Sequence, residues 1–144
     1  MTNLSSYSLS FDYAEPIRRL AAFLIDSAVI LVGLSGLAVL LDARQSLEAT
    51  SSPYYYVFQL MIPWFYYAAM DSAVKQGTLG KMALKIKVTD LDGQPVSFGR
   101  SAVRAIPKVI PLLWIGFLAA VFTTQRQAVH DLIARTVVIK DMDE

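Results

Sequence analysis

The sequence predicts an all-α integral membrane protein with a small cytoplasmic region of β-hairpin-like character. Apolar residues make up 55% of the 144 positions, charged residues make up 17%, and the mean hydropathy is +0.45. A soluble domain of this length cannot bury that much apolar surface. Three apolar stretches provide the membrane elements, which we predict to be two full transmembrane helices and a broken, re-entrant third segment.

The composition excludes several classes of protein. The net charge is +1 with no block of like charges, so we expect no nucleic-acid binding. The chain has no cysteine, which excludes disulfides, thiol nucleophiles and thiolate metal sites. It has one histidine, and no catalytic arrangement of a serine, a histidine and an acid is visible. We therefore expect no metal, no cofactor and no enzymatic activity. The polar residues 1–15 lack the pattern of a cleaved leader.

Two stretches are long and apolar enough to predict full spans. The first, 20–41, is interrupted only by one aspartate and two serines, and it can cross a hydrocarbon core about 30 Å thick. The second, 54–70, carries tyrosines near both ends, which either lie at the membrane interfaces or pack between helices. The predicted organisation is a polar segment over 1–16, one membrane domain over 17–140 and an acidic tail over 141–144.

The third apolar stretch leaves two topologies open. Residues 109–122 are fewer than the roughly 20 that a perpendicular helix needs. Extending the stretch to 102–123 takes in Arg104 and Lys108. Prolines and a glycine interrupt it, so two half-helices that enter and leave on one side are an alternative to a single crossing.

Two segments predict β-strands and bear on this choice. The run Lys81–Thr89 alternates loosely and leads to Asp90–Gly93, which is turn chemistry suited to a hairpin. Residues Thr136–Ile139 have strand character and can pair with Lys85–Thr89. Because paired strands must lie on one side of the membrane, we favour two spans plus a re-entrant segment over three spans.

The distribution of basic residues predicts the orientation. The loop 42–53 contains only Arg44, whereas the stretch 71–108 contains seven lysines and arginines. Basic residues concentrate in cytoplasmic loops. We therefore expect a multi-pass membrane protein with a cytoplasmic N-terminus.

One stripe of the first span is polar. Arg19, Ala22 and Asp26 are spaced i, i+3 and i+7, so they share a helix face. An unpaired carboxylate in hydrocarbon costs about 3 kcal/mol or more, so Asp26 should face the protein interior or water. Arg19 lies about 10 Å from Asp26 along the axis, so a partner should come from another element. The candidates are Arg104, Lys108 and His130.

Two interpretations of the polar residues stay open. If the third segment re-enters, Asp26, Asp71, His130 and Asp131 converge near one leaflet. They then form either a titratable vestibule, in which Asp26 and His130 exchange protons or bind a cation, or a structural ion-pair network. The run Gly77–Lys81 lacks the spacing of a phosphate loop, and we predict a tight turn there.

Three separated motifs resemble the RDD family of bacterial membrane proteins, which is named for one arginine and two aspartates. The motifs are RLAAFLID at 19–26, GTLGK at 77–81 with Ile86, Val88 and Asp92–Gly93, and RQAVHD at 126–131 leading to Thr136–Val138. The resemblance implies that the family's arginine is Arg19, with Arg18 as the alternative, and that its aspartates are Asp26 and Asp131. Arg104 matches a further basic position.

The resemblance implies an inner-membrane location and says little about activity, since sodium–proton antiport is proposed for some members only. Our leading hypothesis is a homo-oligomeric transporter of Na⁺ or protons in the lipid bilayer. Asp26 would carry the ion, Arg19 and Arg104 would be charge partners, and His130 with Asp131 would lie at the cytoplasmic mouth near Asp71. The alternative is a scaffold or accessory subunit that holds an unidentified membrane partner or anionic lipid.

Overall fold

The structure is a computed structural model that describes residues 11–40, 53–109, 124 and 126–141. Within these residues the chain is mostly helical and has one small sheet. The elements are α1 (Pro16–Leu40), α2 (Pro53–Ser72), α3 (Leu79–Ala83), β1 (Ile86–Asp90), α4 (Phe98–Val109), α5 (Val129–Ala134) and β2 (Thr136–Lys140).

Helix α1 has the length and hydropathy of a membrane span, and it is the one helix of the described residues that has both. Its large apolar side chains are mostly exposed, whereas its buried residues are Arg19, Ala22 and Asp26. A core helix of a soluble protein has the opposite arrangement, with apolar residues inside. The predicted polar stripe is therefore confirmed as the face on which α1 packs against the rest of the protein.

Helix α2 covers the second predicted span but does not establish it. Its 20 residues are enough to cross a bilayer, yet five tyrosines and two prolines keep its hydropathy below that of α1. The ring of Tyr67 stacks on Phe23 of α1 with a centroid distance of 6.4 Å. The structure thus shows one candidate span, with α2 packed against it.

The predicted strand pairing is confirmed, and the hairpin-like description is corrected. Strand β1 pairs antiparallel with β2, with Val88 opposite Val138. The turn after β1 does form, because Asp90 Oδ1 accepts backbone hydrogen bonds from Asp92 and Gln94 at 2.9 and 2.8 Å. The chain then continues into α4, so the partner of β1 comes from a distant part of the sequence rather than from the next strand.

The third predicted segment, 102–123, lies largely outside the described residues, as does the choice between crossing and re-entry. Its first residues belong to α4, which begins at Phe98, earlier than predicted. Helix α4 packs along α2, where Trp64 Nε1 donates to the Ala102 carbonyl at 3.0 Å. Ala105 of α4 is buried in the same apolar cluster as Tyr67 and Ala68 of α2.

Helix α3 approaches α1 so closely that only glycine fits at the contact. A Cβ built on Gly80 would overlap the carbonyl oxygen of Ala22 and would lie 3.0 Å from Cγ of Asp26. The Thr78 side chain caps the N-terminus of α3 by accepting from the Lys81 amide. The short helix is thereby fixed against the polar stripe of α1.

We expect Gly80→Ala to destabilise the protein by roughly 1–3 kcal/mol, because the new methyl group overlaps backbone that cannot move aside easily. The measurement is the thermal unfolding midpoint of the purified protein in detergent. Gly99→Ala is the matched control, because Gly99 is also the second residue of its helix and has no atom within 4 Å of an added Cβ. Equal midpoints for the two variants would contradict the close contact.

Candidate functional site

The candidate site is a set of buried polar side chains where the five helices meet. Each of these side chains is at most 7% exposed, although most are charged. The set comprises Arg19 and Asp26 of α1, Asp71 of α2, Lys81 of α3, Arg104 of α4, and His130 and Asp131 of α5. The structure therefore brings together all six of the predicted site residues and adds Lys81.

Arg104 is the centre of the ionic network. Its Nε donates to Asp131 Oδ1 and its Nη1 to Asp71 Oδ2, both at 2.6 Å. A planar guanidinium can bridge two carboxylates in this way, whereas a lysine ammonium cannot reproduce the fork. Arg104 thus joins α2 and α5 through one side chain of α4.

Asp131 is held by two arginines and by its own helix. Besides Arg104, Arg19 Nη2 donates to Asp131 Oδ2, while Arg19 Nη1 donates to the Arg126 carbonyl. The Ala128 amide also donates to Asp131 Oδ2, at 3.1 Å. Burial raises the pKa of Asp131, but the nearby Arg104 and Arg19 cations outweigh burial and hold the pKa well below its usual range.

Asp71 receives three cations from two helices. Lys81 of α3 contacts Asp71 Oδ1, while Arg104 and Lys108 of α4 contact Oδ2 at 2.6 and 3.3 Å. Burial lowers the pKa of Lys81 well below its usual value against the opposing attraction of Asp71. Removing one partner of a buried ion pair costs about 3–5 kcal/mol, because the other charge stays buried without compensation. The network therefore fixes the relative positions of α2, α3, α4 and α5.

Asp26 lies next to this network but has a different kind of environment. Its carboxylate accepts from the Thr78 hydroxyl at 2.5 Å, the Gly80 amide at 2.8 Å and the Tyr66 hydroxyl at 2.9 Å. All three donors are neutral. The predicted cationic partner is therefore corrected, because Arg104 and Lys108 bind Asp71 instead and His130 lies beside Asp131.

The partners of Asp26 are not evident from the sequence. The sequence places Tyr66 either at a membrane interface or in aromatic packing between helices, and it places Thr78 and Gly80 in a tight turn. A threonine followed by glycine in a short segment after a helix carries two usable signals, a helix cap and a close backbone approach. Those signals predict a local structure, but they do not say which carboxylate the Gly80 amide and the Thr78 hydroxyl will bind.

His130 stays neutral near physiological pH. Its Nε2 lies 3.5 Å from Asp131 Oδ1, and burial lowers the pKa of His130 to about 3 although Asp131 opposes this. The unfolded chain takes up a proton on this histidine below about pH 6.5, while the folded protein does so only near pH 3. Lowering the pH from about 6.5 towards 3 therefore favours the unfolded state.

We expect the unfolding free energy to fall by up to about 1.4 kcal/mol per pH unit as the pH drops below 6.5, and His130→Gln to remove this dependence between pH 6.5 and 5. The measurement is the thermal unfolding of both proteins in detergent at pH 7.5, 6.5, 5.8 and 5.0. Aspartates and glutamates titrate mainly below this window. Equal losses in the variant and the unaltered protein would assign the effect to another group.

An apolar exterior around a buried ionic network defines an integral membrane protein, and comparison with known proteins agrees. The chain belongs to the RDD family, whose model matches residues 13–135. The uncharacterized membrane protein YteJ of Bacillus subtilis is 29% identical over 92% of this chain and 84% of its own length. No solved structure matches the chain.

Two further relatives differ in length from this chain. The proline-rich antigen homolog of Mycobacterium tuberculosis is 32% identical over 88% of this chain, and the match spans 63% of that protein. The uncharacterized protein YxaI of Bacillus subtilis is 31% identical over 58% of this chain and 56% of its own length. The chain thus spans less than two thirds of the mycobacterial relative.

The three residues that the resemblance implies as the family's arginine and two aspartates have different surroundings in the structure. Arg19 and the second aspartate, Asp131, contact each other directly, although they are 112 positions apart. The first aspartate, Asp26, lies two helical turns from Arg19 and binds neutral donors instead. Arg19, Asp26 and Asp131 therefore divide into an ion pair and a separate carboxylate.

Proposed function

We propose that the protein moves protons or a monovalent cation across the membrane, with Asp26 as the group that takes up and releases the ion. The observation that carries this proposal is the neutral environment of Asp26. It is 1% exposed, it lies in the helix with the properties of a span, and its three hydrogen-bond donors carry no charge. A carboxylate in hydrocarbon surroundings is costly, and such residues commonly mark ion pathways.

The other two carboxylates are poorly suited to this role. Asp71 and Asp131 each contact two or more cationic side chains, so protonating either would leave arginines or lysines buried without compensation. Asp26 can bind a proton or cation without breaking an ion pair. The hydroxyls of Tyr66 and Thr78 can rotate, so the oxygens that now donate can become ligands of a cation.

The proposal includes a membrane topology. Since β1 and β2 pair, the chain on both sides of α4 and α5 must lie on one side of the bilayer. The basic residues of 71–108 make that side the cytoplasmic one, and with α1 and α2 both crossing, the N-terminus is cytoplasmic as well. One copy has few helices with which to enclose a path, so we propose that the transporting unit is a homo-oligomer.

We expect a cysteine at Asp141 to react with a membrane-impermeant thiol reagent only after cells are opened. Asp141 is exposed and directly follows β2, and the chain has no other cysteine. The measurement is labelling of intact against permeabilised cells. A cysteine introduced at Arg44, which follows α1 in the sequence, is the control with the opposite expectation, because it should react in intact cells. Labelling of Asp141→Cys from outside would overturn the topology.

We expect Asp26→Asn to abolish ion movement while leaving the protein folded. The asparagine oxygen can still accept from Gly80, and its amide can donate to the Thr78 hydroxyl, so the packing survives without a titratable group. The measurement is dissipation of an imposed pH or Na⁺ gradient in proteoliposomes that contain the purified protein alone.

The control is Asp92→Asn, which removes an exposed carboxylate in the turn after β1. It should retain full flux. Unaltered flux in a folded Asp26→Asn variant would exclude Asp26 as the carrier. Absence of flux in the unaltered protein, with a partner protein copurifying, would favour the scaffold hypothesis instead.

A further inference from the structure

The two short helices α4 and α5 bury charged and polar side chains while several of their large apolar side chains are exposed. In α4, Ser101 and Arg104 are buried, whereas Val103 and Ile106 are 46% and 44% exposed. In α5, His130 and Asp131 are buried, whereas Val129, Leu132 and Ile133 are 42–62% exposed. A surface helix in water has the reverse pattern. The medium that surrounds the outer faces of these helices is therefore apolar.

The depth of α4 agrees with this conclusion. The apolar cluster that joins the helices contains Ala102 and Ala105 of α4 together with Phe23 and Ile30 of α1. Ile30 lies near the middle of the 25-residue α1, which is the candidate span. Helix α4 thus shares an apolar cluster with residues near the middle of the candidate span, as an element at membrane depth does.

A groove between α4 and α5 opens onto this apolar surface. It is lined by Gly99, Arg100, Val103, Ile133, Ala134 and Arg135. An ideal Cβ on Gly99 meets no atom within 4 Å, so the groove is open at that position. Among the described residues that line the groove, two are basic and none is acidic, so its walls combine positive charge with apolar surface.

The two arginines differ in how they are held. Arg100 donates from Nε to the Ala134 carbonyl at 3.0 Å and from Nη2 to the Arg135 carbonyl at 2.6 Å, while its Nη1 lies 3.8 Å from Asp90. These bonds fix the guanidinium at the end of α5. Arg135 ends α5 in a left-handed conformation with φ 51°, and its side chain is exposed.

We propose that this groove binds an anionic phospholipid of the adjoining leaflet. The phosphate lies between Arg100 and Arg135. The exposed Arg135 guanidinium can form paired, charge-assisted hydrogen bonds with its oxygens, and Arg100, whose Nε and Nη2 already bind carbonyls, adds a fixed positive charge. An acyl chain lies along Val103 and Ile133. The net positive charge of the groove selects an anionic over a zwitterionic headgroup. This site is separate from Asp26 and does not depend on the proposed transport.

The test is native mass spectrometry of the full chain in detergent, with phosphatidylglycerol and phosphatidylcholine supplied in equal amounts. We expect phosphatidylglycerol to be retained preferentially. Arg135→Asn should weaken its binding by about tenfold, since one charge-assisted contact is lost. Asparagine tolerates the left-handed backbone at this position. Arg126→Asn is the matched control, because Arg126 is also exposed and left-handed, with φ 50°, but does not line the groove.

A second pair of variants tests the groove without changing its charge. Gly99→Leu should fill the groove and reduce phosphatidylglycerol binding, whereas Gly36→Leu adds the same bulk on α1, where no atom lies within 4 Å of an added Cβ, and should have no effect. Equal retention of the two lipids, or an equal loss in Arg126→Asn and Arg135→Asn, would overturn the proposal. Displacement of the lipid by millimolar inorganic phosphate would assign the groove to free phosphate and also overturn it.

Discussion

The guanidinium of Arg104 holds two carboxylates that belong to different helices, and the arrangement of the protein depends on that contact. Asp71 and Asp131 are each at most 1% exposed and lie in surroundings where a lone charge is very costly. Arg104 satisfies both, while Arg19 and Lys81 each occupy an oxygen of one of them. Helices with small apolar contacts, such as Ala22, Ala68 and Ala105, are thereby held in one geometry.

This network holds together helices whose outer surfaces are apolar. In a bilayer, apolar side chains gain nothing by leaving the lipid, so helix association relies on close packing and polar contacts. The alanines and Gly80 permit close approach, and the charged residues supply contacts that lipid cannot replace. The small sheet has the opposite character, with Ile86, Val88 and Val138 in an apolar core as in a soluble domain. The protein therefore combines two modes of packing, one for each of its surroundings.

Much of this arrangement could be predicted from the sequence where a local pattern has one physical solution. The spacing of Arg19, Ala22 and Asp26 placed a polar stripe against protein, and the strand character of Thr136–Ile139 predicted the pairing with β1. The hairpin-like region could not be predicted correctly, because the turn at Asp90 and the pairing of β1 are set by different parts of the chain. The donors to Asp26 could not be predicted, because two are side-chain hydroxyls and one is a backbone amide. None of them carries a charge that would mark it in the sequence as a partner of a carboxylate.

The long separation between Arg19 and Asp131 has a consequence for biosynthesis. The carboxylate that pairs with Arg19 is translated 112 residues after it. At ordinary elongation rates this interval is on the order of 10 seconds. During that time α1 already exists, but Asp131 has not yet been synthesised to pair with Arg19. Arg19 is the fourth residue of α1, so its long side chain can reach the hydrated headgroups until the later helices arrive. The ion pair between Arg19 and Asp131 therefore forms only after α5 has been synthesised and has reached α1.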